Sequence, residues 1–229
     1  MKRTMGFSIL VPMPSKKPVE DMRVETALLH LSRVDRVLYA KALLVRDHFV
    51  PRSTAQCRYS SQKLFASLAA SVTGQQLSTK AADSIWSKLE TACGGEVTPE
   101  AIKRLRTPTL RKAGLSAAKV KTLKELSKAV LSGELNLPAL KKLPEEEAIE
   151  KLSSIWGIGR WTAEMFLMFA LEREDVFSPG DLGLRRSIEM LYNLPKDVHV
   201  RELEAIAQVW SPHRTFASRV LWRIRDVQS

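Results

Sequence analysis

Apolar residues recur at a helical period through most of this 229-residue chain, and residues that start or stop helices punctuate the runs. From Glu20 to Val45 the apolar positions Val24, Leu28, Leu31, Val34, Leu38, Ala42 and Val45 fall on one face, which predicts a single long helix. The same spacing predicts helices over Ser61–Val72, Ser78–Cys93, Ala117–Leu131 and Arg201–Val209. Ser78, Thr98-Pro99, Thr107-Pro108, Ser116 and Pro144 stand where helices begin, because a short hydroxyl accepts from an orphan amide and proline lacks one. Gly94-Gly95, Gly114 and Gly133 stand where helices end. Alternation suited to a strand is confined to Phe7–Val11. The expectation is an all-α fold of about ten short helices joined by short loops.

Hydrophobic residues make up 45% of the chain, enough for a proper core at this length. No apolar run approaches the roughly 18 residues of a membrane span. The start, MKRTMGFSILVPMP, has a basic tip but no signal-peptide core or cleavage site, so an intracellular protein is expected, in cytoplasm or nucleoid if bacterial and in the nucleus if eukaryotic. The two cysteines, Cys57 and Cys93, are too few for a disulfide framework, a four-cysteine zinc site or an iron–sulfur cluster, and read as buried thiols. His30, His48 and His199 share no metal-ligand spacing. The net charge is +11, and between Ala101 and Val130 nine Lys or Arg face one acid, Glu125. Such a field favours a polyanion, most simply nucleic acid, while charge alone leaves DNA, RNA and nonspecific adhesion open.

Within LSSIWGIGRWTA, Leu152 to Ala163, two glycines one residue apart separate two helical patterns. Gly157 and Gly159 can both take φ > 0, so the chain can reverse tightly and present the free amides of the next helix, a geometry that binds phosphate. Ile158 is expected to plug inward. A plain turn between packed helices is the competing reading. Further on, FSPGDLGLRRSIEM redirects the chain at Pro179-Gly180 before Asp181, which taken alone is most simply the N-cap of a helix over Leu182–Leu191.

Together the hairpin Leu-x-x-Ile-x-Gly-Ile-Gly-x-x-Thr-Ala and the later Pro-Gly-Asp resemble the helix-hairpin-helix DNA glycosylase superfamily, and more narrowly its AlkA-type 3-methyladenine members, whose hairpin also continues Gly-Arg-Trp-Thr-Ala. The likeness extends to FASLAASVTGQQLSTK (Phe65 to Lys80), to Gly114-Leu115-Ser116 with Lys119, and to Trp210-Ser211-Pro212-His213-Arg214. It covers most of residues 60 to 225.

The resemblance implies a base-excision enzyme that flips an alkylated purine out of damaged double-stranded DNA and hydrolyses its glycosidic bond, with Asp181 as the catalytic carboxylate. Where lyase relatives carry a lysine directly after the hairpin arginine, this chain has Trp161, so a monofunctional enzyme leaving an abasic site is expected. Trp161 reads equally as a wall of the base pocket, its indole face suited to a cationic purine, or as helix core. His213, Met165 and Leu182 occupy positions where other members carry aromatic residues. Gln75, Gln76, Leu77 and Ser78 match the loop that approaches the minor groove, with Gln76 favoured as the wedge, Leu77 second, and Ser78 as N-cap. Gln75 reads alternatively as a helix cap. Gly157, Gly159, Arg160, Thr162, Lys80, Lys119 and Lys121 are further DNA-contact positions. In the superfamily the hairpin also holds a monovalent cation on carbonyls that match Ser153, Ile155 and Ile158, so a structural Na+ or K+ is implied while the chemistry requires no cofactor.

The implied architecture is two helical lobes with the active site in the cleft between them. One lobe spans residues 65–176 and contains the hairpin at about 145–171; residues 20–64 and 177–229 form the other, after an extension over 1–19. The stretch before the first helix is too short for the extra α/β domain of longer members, so a compact monomer is expected. Two other readings remain open: a catalytically silent helix-hairpin-helix module that binds DNA, and a glycosylase for ethenoadenine, hypoxanthine or uracil.

Overall fold

The computed structural model describes residues 22–49 and 60–228. The Phe7–Val11 alternation, the extension over 1–19 and Cys57 lie outside them. The described residues form twelve α-helices and two short 3-10 turns, with no strand among them. They fall into two compact units, one holding residues 60–172 and the other 22–49 with 173–228. An expected boundary at 64/65 would cut helix α3, which runs Ser61–Gly74 behind its N-cap Ser60, so the division precedes that helix. The later boundary follows Glu172 rather than Val176, because the segment from Arg173 to Val176 bonds to the start of the last helix.

The first unit contains α3, α4 (Thr79–Cys93), α5 (Pro99–Arg104), α6 (Thr107–Lys112), α7 (Ala117–Leu131), α8 (Glu145–Ser153) and α9 (Arg160–Phe169). Each of α3, α4, α5 and α7 opens on a hydroxyl side chain that accepts a backbone amide three residues on: Ser60, Ser78, Thr98 and Ser116. Leu64, Phe65, Leu68, Ala69 and Val72 line one buried face of α3, which packs against α4, α7 and α9. Helix α3 is thereby the central post from which the hairpin is hung. Lys124 of α7 donates to the carbonyls of Ile102 and Lys103 at 2.7 and 3.0 Å and also to that of Leu105, so one member of the basic run closes the end of α5. Cys93 is a buried free thiol, and burial pushes its pKa up.

The second unit contains α1 (Met22–Val34), α2 (Arg36–Leu44), α10 (Leu182–Leu191), α11 (Val200–Gln208) and α12 (Arg214–Gln228) around a core that includes Leu31, Leu38, Phe177, Leu184, Ile188, Trp210, Val220 and Leu221. The expected single helix over Glu20–Val45 is two, broken at Asp35. This residue leaves the helical region at φ −152°, and its Oδ1 accepts the amide of Leu38 to start α2. Its Oδ2 accepts from Trp210 Nε1 at 2.8 Å and from the Tyr192 hydroxyl. A carboxylate that satisfies a buried indole, a half-buried phenol and a helix end outweighs continuous helical hydrogen bonding at this point. Burial, with the Asp35 charge beside it, drives the Tyr192 pKa far up.

Candidate nucleic-acid interface and carboxylate site

In the first unit α8 and α9 are joined by Ser154 to Gly159. Ile155 and Ile158 are buried, and the Ile158 amide donates to the Ile155 carbonyl at 3.0 Å, so Ile158 plugs inward as expected. Gly157 sits at φ +86°, and a Cβ there would lie 2.0 Å from Thr122 Oγ1 of α7; both backbone conformation and close packing require glycine. Gly159 differs from the expectation. It adopts φ −88°, ψ 168°, extended backbone open to any residue, and contributes no side-chain cap to α9. The amides at the start of α9 therefore lack the hydroxyl that caps α4 or α7, and the helix dipole makes such an end suited to an anion.

The surroundings of that helix end are basic and partly aromatic. Trp156 is 47% exposed, and Lys121 Nζ lies 4.2 Å from its ring centroid. Arg160 is held by Glu146 through two bonds of 2.7 and 2.6 Å and by buried Glu164 at 2.9 Å, so it staples α8 to α9 with its charge matched by two carboxylates. The Arg160 hydrogen bond holds the Glu146 carboxyl below its usual range. Thr162 is buried and accepts from Gln75 Nε2, while Lys119 Nζ is bound to the carbonyls of Thr73 and Gln75. Burial lowers the Lys119 pKa. Gln76 and Lys80 are exposed, Leu77 is half-buried, and Ser78 caps α4 as read from the sequence. Trp161 is half-buried and Met165 buried on α9. Among the described residues no group of three or more His, Cys, Asp or Glu is arranged to hold a metal.

In the second unit Asp181 closes a turn by donating its amide to the Ser178 carbonyl, then caps α10: its Oδ1 accepts the Leu184 amide at 2.8 Å. The same oxygen accepts from Trp222 Nε1 of α12 at 2.9 Å. Cap and functional carboxylate are thus compatible, since the two donors fix one oxygen and with it the orientation of the group. Gly183 lies against this carboxylate; a Cβ there would meet Arg225 Nη1 at 2.3 Å and Asp181 Oδ1 at 3.0 Å. Leu182, beside Asp181, is 54% exposed. His213 is half-buried, with its ring edge-on to His30 at 5.4 Å; burial first, then the His30 charge, lowers its pKa. The segment carrying His213 is pinned by Asp175, which accepts from Ser211 Oγ at 2.8 Å and from Arg214 Nε at 2.7 Å. Neither Trp222 nor Asp175 is singled out by the sequence pattern. His199 caps α11, its Nδ1 accepting the Arg201 amide.

The chain thus carries a helix, a glycine turn and a second helix with no side-chain cap, and separately a carboxylate held at the N-terminus of α10. Residues 69–213 match the HhH-GPD superfamily base excision DNA repair protein model, and the chain belongs to that family. The DNA-3-methyladenine glycosylase 1 of Schizosaccharomyces pombe is 34% identical over 200 residues, 86% of each chain. Among solved structures, the 3-methyladenine DNA glycosylase of S. pombe in complex with abasic DNA superposes with a TM-score of 0.71 at 33% identity, covering 86% of this chain and 95% of that one. The DNA-3-methyladenine glycosidase of Bacillus halodurans gives 0.71 at 34%, covering 89% of each. No helix among the described residues is long and apolar enough to cross a membrane.

Proposed function

We propose that the chain is a monofunctional DNA glycosylase of base excision repair that removes alkylated purines of the 3-methyladenine or 7-methylguanine type from double-stranded DNA. The observation that carries this reading is the Asp181 carboxylate, one oxygen of which is fixed by Leu184 and Trp222, in a chain so similar to named 3-methyladenine glycosylases.

Such a base is already cationic. When its C1′–N9 bond breaks, the bonding pair leaves with a neutral purine, so a strong general acid is dispensable. The sugar acquires oxocarbenium character, which a carboxylate stabilises electrostatically. Water adds at C1′ and gives up a proton, which Asp181 is suited to accept, leaving an abasic sugar. Trp161 at the position after Arg160 provides no amine, so no Schiff base forms and the strand stays intact. Trp161 and Met165, side by side on α9, are proposed base contacts on the first unit. The α9 amides bind phosphate without reading sequence, which suits an enzyme that must act wherever damage occurs.

The family's monovalent cation suits the turn in kind: Ser153 is the last residue of α8, where helix carbonyls lack donors from the helix itself, and the Ile155 carbonyl follows in the turn, where it also accepts the Ile158 amide. Together with the Ile158 carbonyl they would hold Na+ or K+, which supplies positive charge for the phosphate. The test is release of free base from a duplex with one 7-methylguanine: release by the native chain, an intact strand until alkali, and loss in Asp181→Asn are expected. Absence of release, or full activity of the variant, overturns the reading. A parallel panel with ethenoadenine, hypoxanthine and uracil sets the substrate range.

A further inference from the structure

Two side chains that sequence assigns to DNA contact are turned toward the protein's own backbone in the first unit. Gln75 Nε2 donates to the Gly157 carbonyl at 3.3 Å and to Thr162 Oγ1 at 3.2 Å. Lys119 Nζ, on the first turn of α7, donates to the carbonyls of Thr73 and Gln75, both at 2.8 Å, so an ammonium closes the end of α3. Between these anchors lies Gln76, exposed and at φ +57°, with the Leu77 amide donating to the Gly74 carbonyl beneath it. A non-glycine residue in that region is strained and persists only where its surroundings over-determine it.

We propose that Gln75 and Lys119 are positioning residues that fasten the Thr73–Ser78 loop to the Gly157 hairpin, so that the Gln76 wedge and the phosphate seat of α9 meet a duplex as one rigid reader. The proposal rests on the glycosylase reading above. Extruding a paired nucleotide sacrifices its stacking and pairing. A wedge offsets that cost only if its distance from the gripped phosphate is fixed; on a free loop, insertion would also carry the cost of ordering the loop. The clamp draws on three segments far apart in sequence: the end of α3, the start of α7 and the start of α9. Neither the loop nor the hairpin turn can shift without breaking the Gln75 bonds, and Lys119 fixes the backbone from which Gln75 reaches.

The experiment is single-turnover release of 7-methylguanine from two duplexes, one with the lesion opposite cytosine and one opposite thymine, by the native chain, Gln75→Leu and Thr162→Val. The leucine keeps the bulk of Gln75 without its donors, and the valine keeps that of Thr162 without its acceptor. Both variants are expected to slow release from the paired lesion about tenfold, the scale of one or two hydrogen bonds. On the mismatched lesion, which is easier to extrude, the expected loss is about threefold or less. Rates are read as the plateau reached on raising enzyme in excess over duplex, so a merely unstable variant shifts the enzyme concentration needed and leaves the plateau rate. Equal slowing on both duplexes, or unchanged rates on both, overturns the clamp. A native chain that releases nothing from either duplex overturns the glycosylase reading itself, and the two failures are distinguishable.

Discussion

Helices α9 and α10 open in opposite ways. Helix α9 begins at Gly159, which brings no side chain to its amides, whereas α10 begins at Asp181, whose carboxylate takes the Leu184 amide. Both ends carry the partial positive charge of a helix N-terminus. Left bare, such an end favours an anion, the phosphate of the proposed function; occupied by a carboxylate, it presents negative charge held in place by the helix itself. One residue at the N-cap decides which charge the end attracts, and the proposed function assigns binding to one version of this device and chemistry to the other.

The largest effect is expected where the bare end is built. Gly157→Ala forces a Cβ to within 2.0 Å of Thr122 Oγ1 and strains a positive φ, so the first unit should lose about 2 kcal/mol or more in denaturant unfolding and DNA affinity should fall with it. Thr122→Ala in the same chain should recover part of the loss, which a purely conformational penalty would not allow. Gly159→Asp converts the bare end into a copy of the other. Nothing lies within 4 Å of the added Cβ, so the fold should hold, with about 0.3 kcal/mol of capping gained, while affinity for undamaged duplex at low salt drops about tenfold. Unchanged binding would show that α9 does not seat a phosphate. The smallest effect is expected from Trp222→Phe, which leaves Asp181 charged and capping but removes the indole donor: base release should slow about fivefold, on the scale of one charge-assisted hydrogen bond, with duplex binding unchanged.

What is legible in the sequence is local. The hairpin, the caps Ser78 and Ser116 and the helix ends at Gly94 and Gly133 are fixed by residues a turn apart, and helix α7 has the bounds its spacing predicts. The break at Asp35 is hidden because apolar periodicity runs straight through it; its cause is a bond to Trp210, 175 residues on. Trp222 and Asp175 escape notice for the same reason, since their partners lie 41 and 36 residues away and no spacing rule connects an indole or a loop acid to them. Gly159 marks a limit of the glycine rule. A glycine permits a left-handed backbone, but here its value is the missing side chain. Charge alone describes Arg160 and Lys119 poorly, because Glu146 of α8, Glu164 one turn on in α9 and the carbonyls at the end of α3 engage them.

The most direct measurement compares Asp181→Asn with the native chain in two assays on one 7-methylguanine duplex, release of free base and equilibrium binding. Asparagine caps a helix as well as aspartate does, so fold, cap and phosphate seat should survive and binding should change less than about twofold. Release should fall at least about a hundredfold, because only the negative charge has gone. Release that persists at the native rate, or binding that collapses along with it, would contradict the division of labour between the two helix ends.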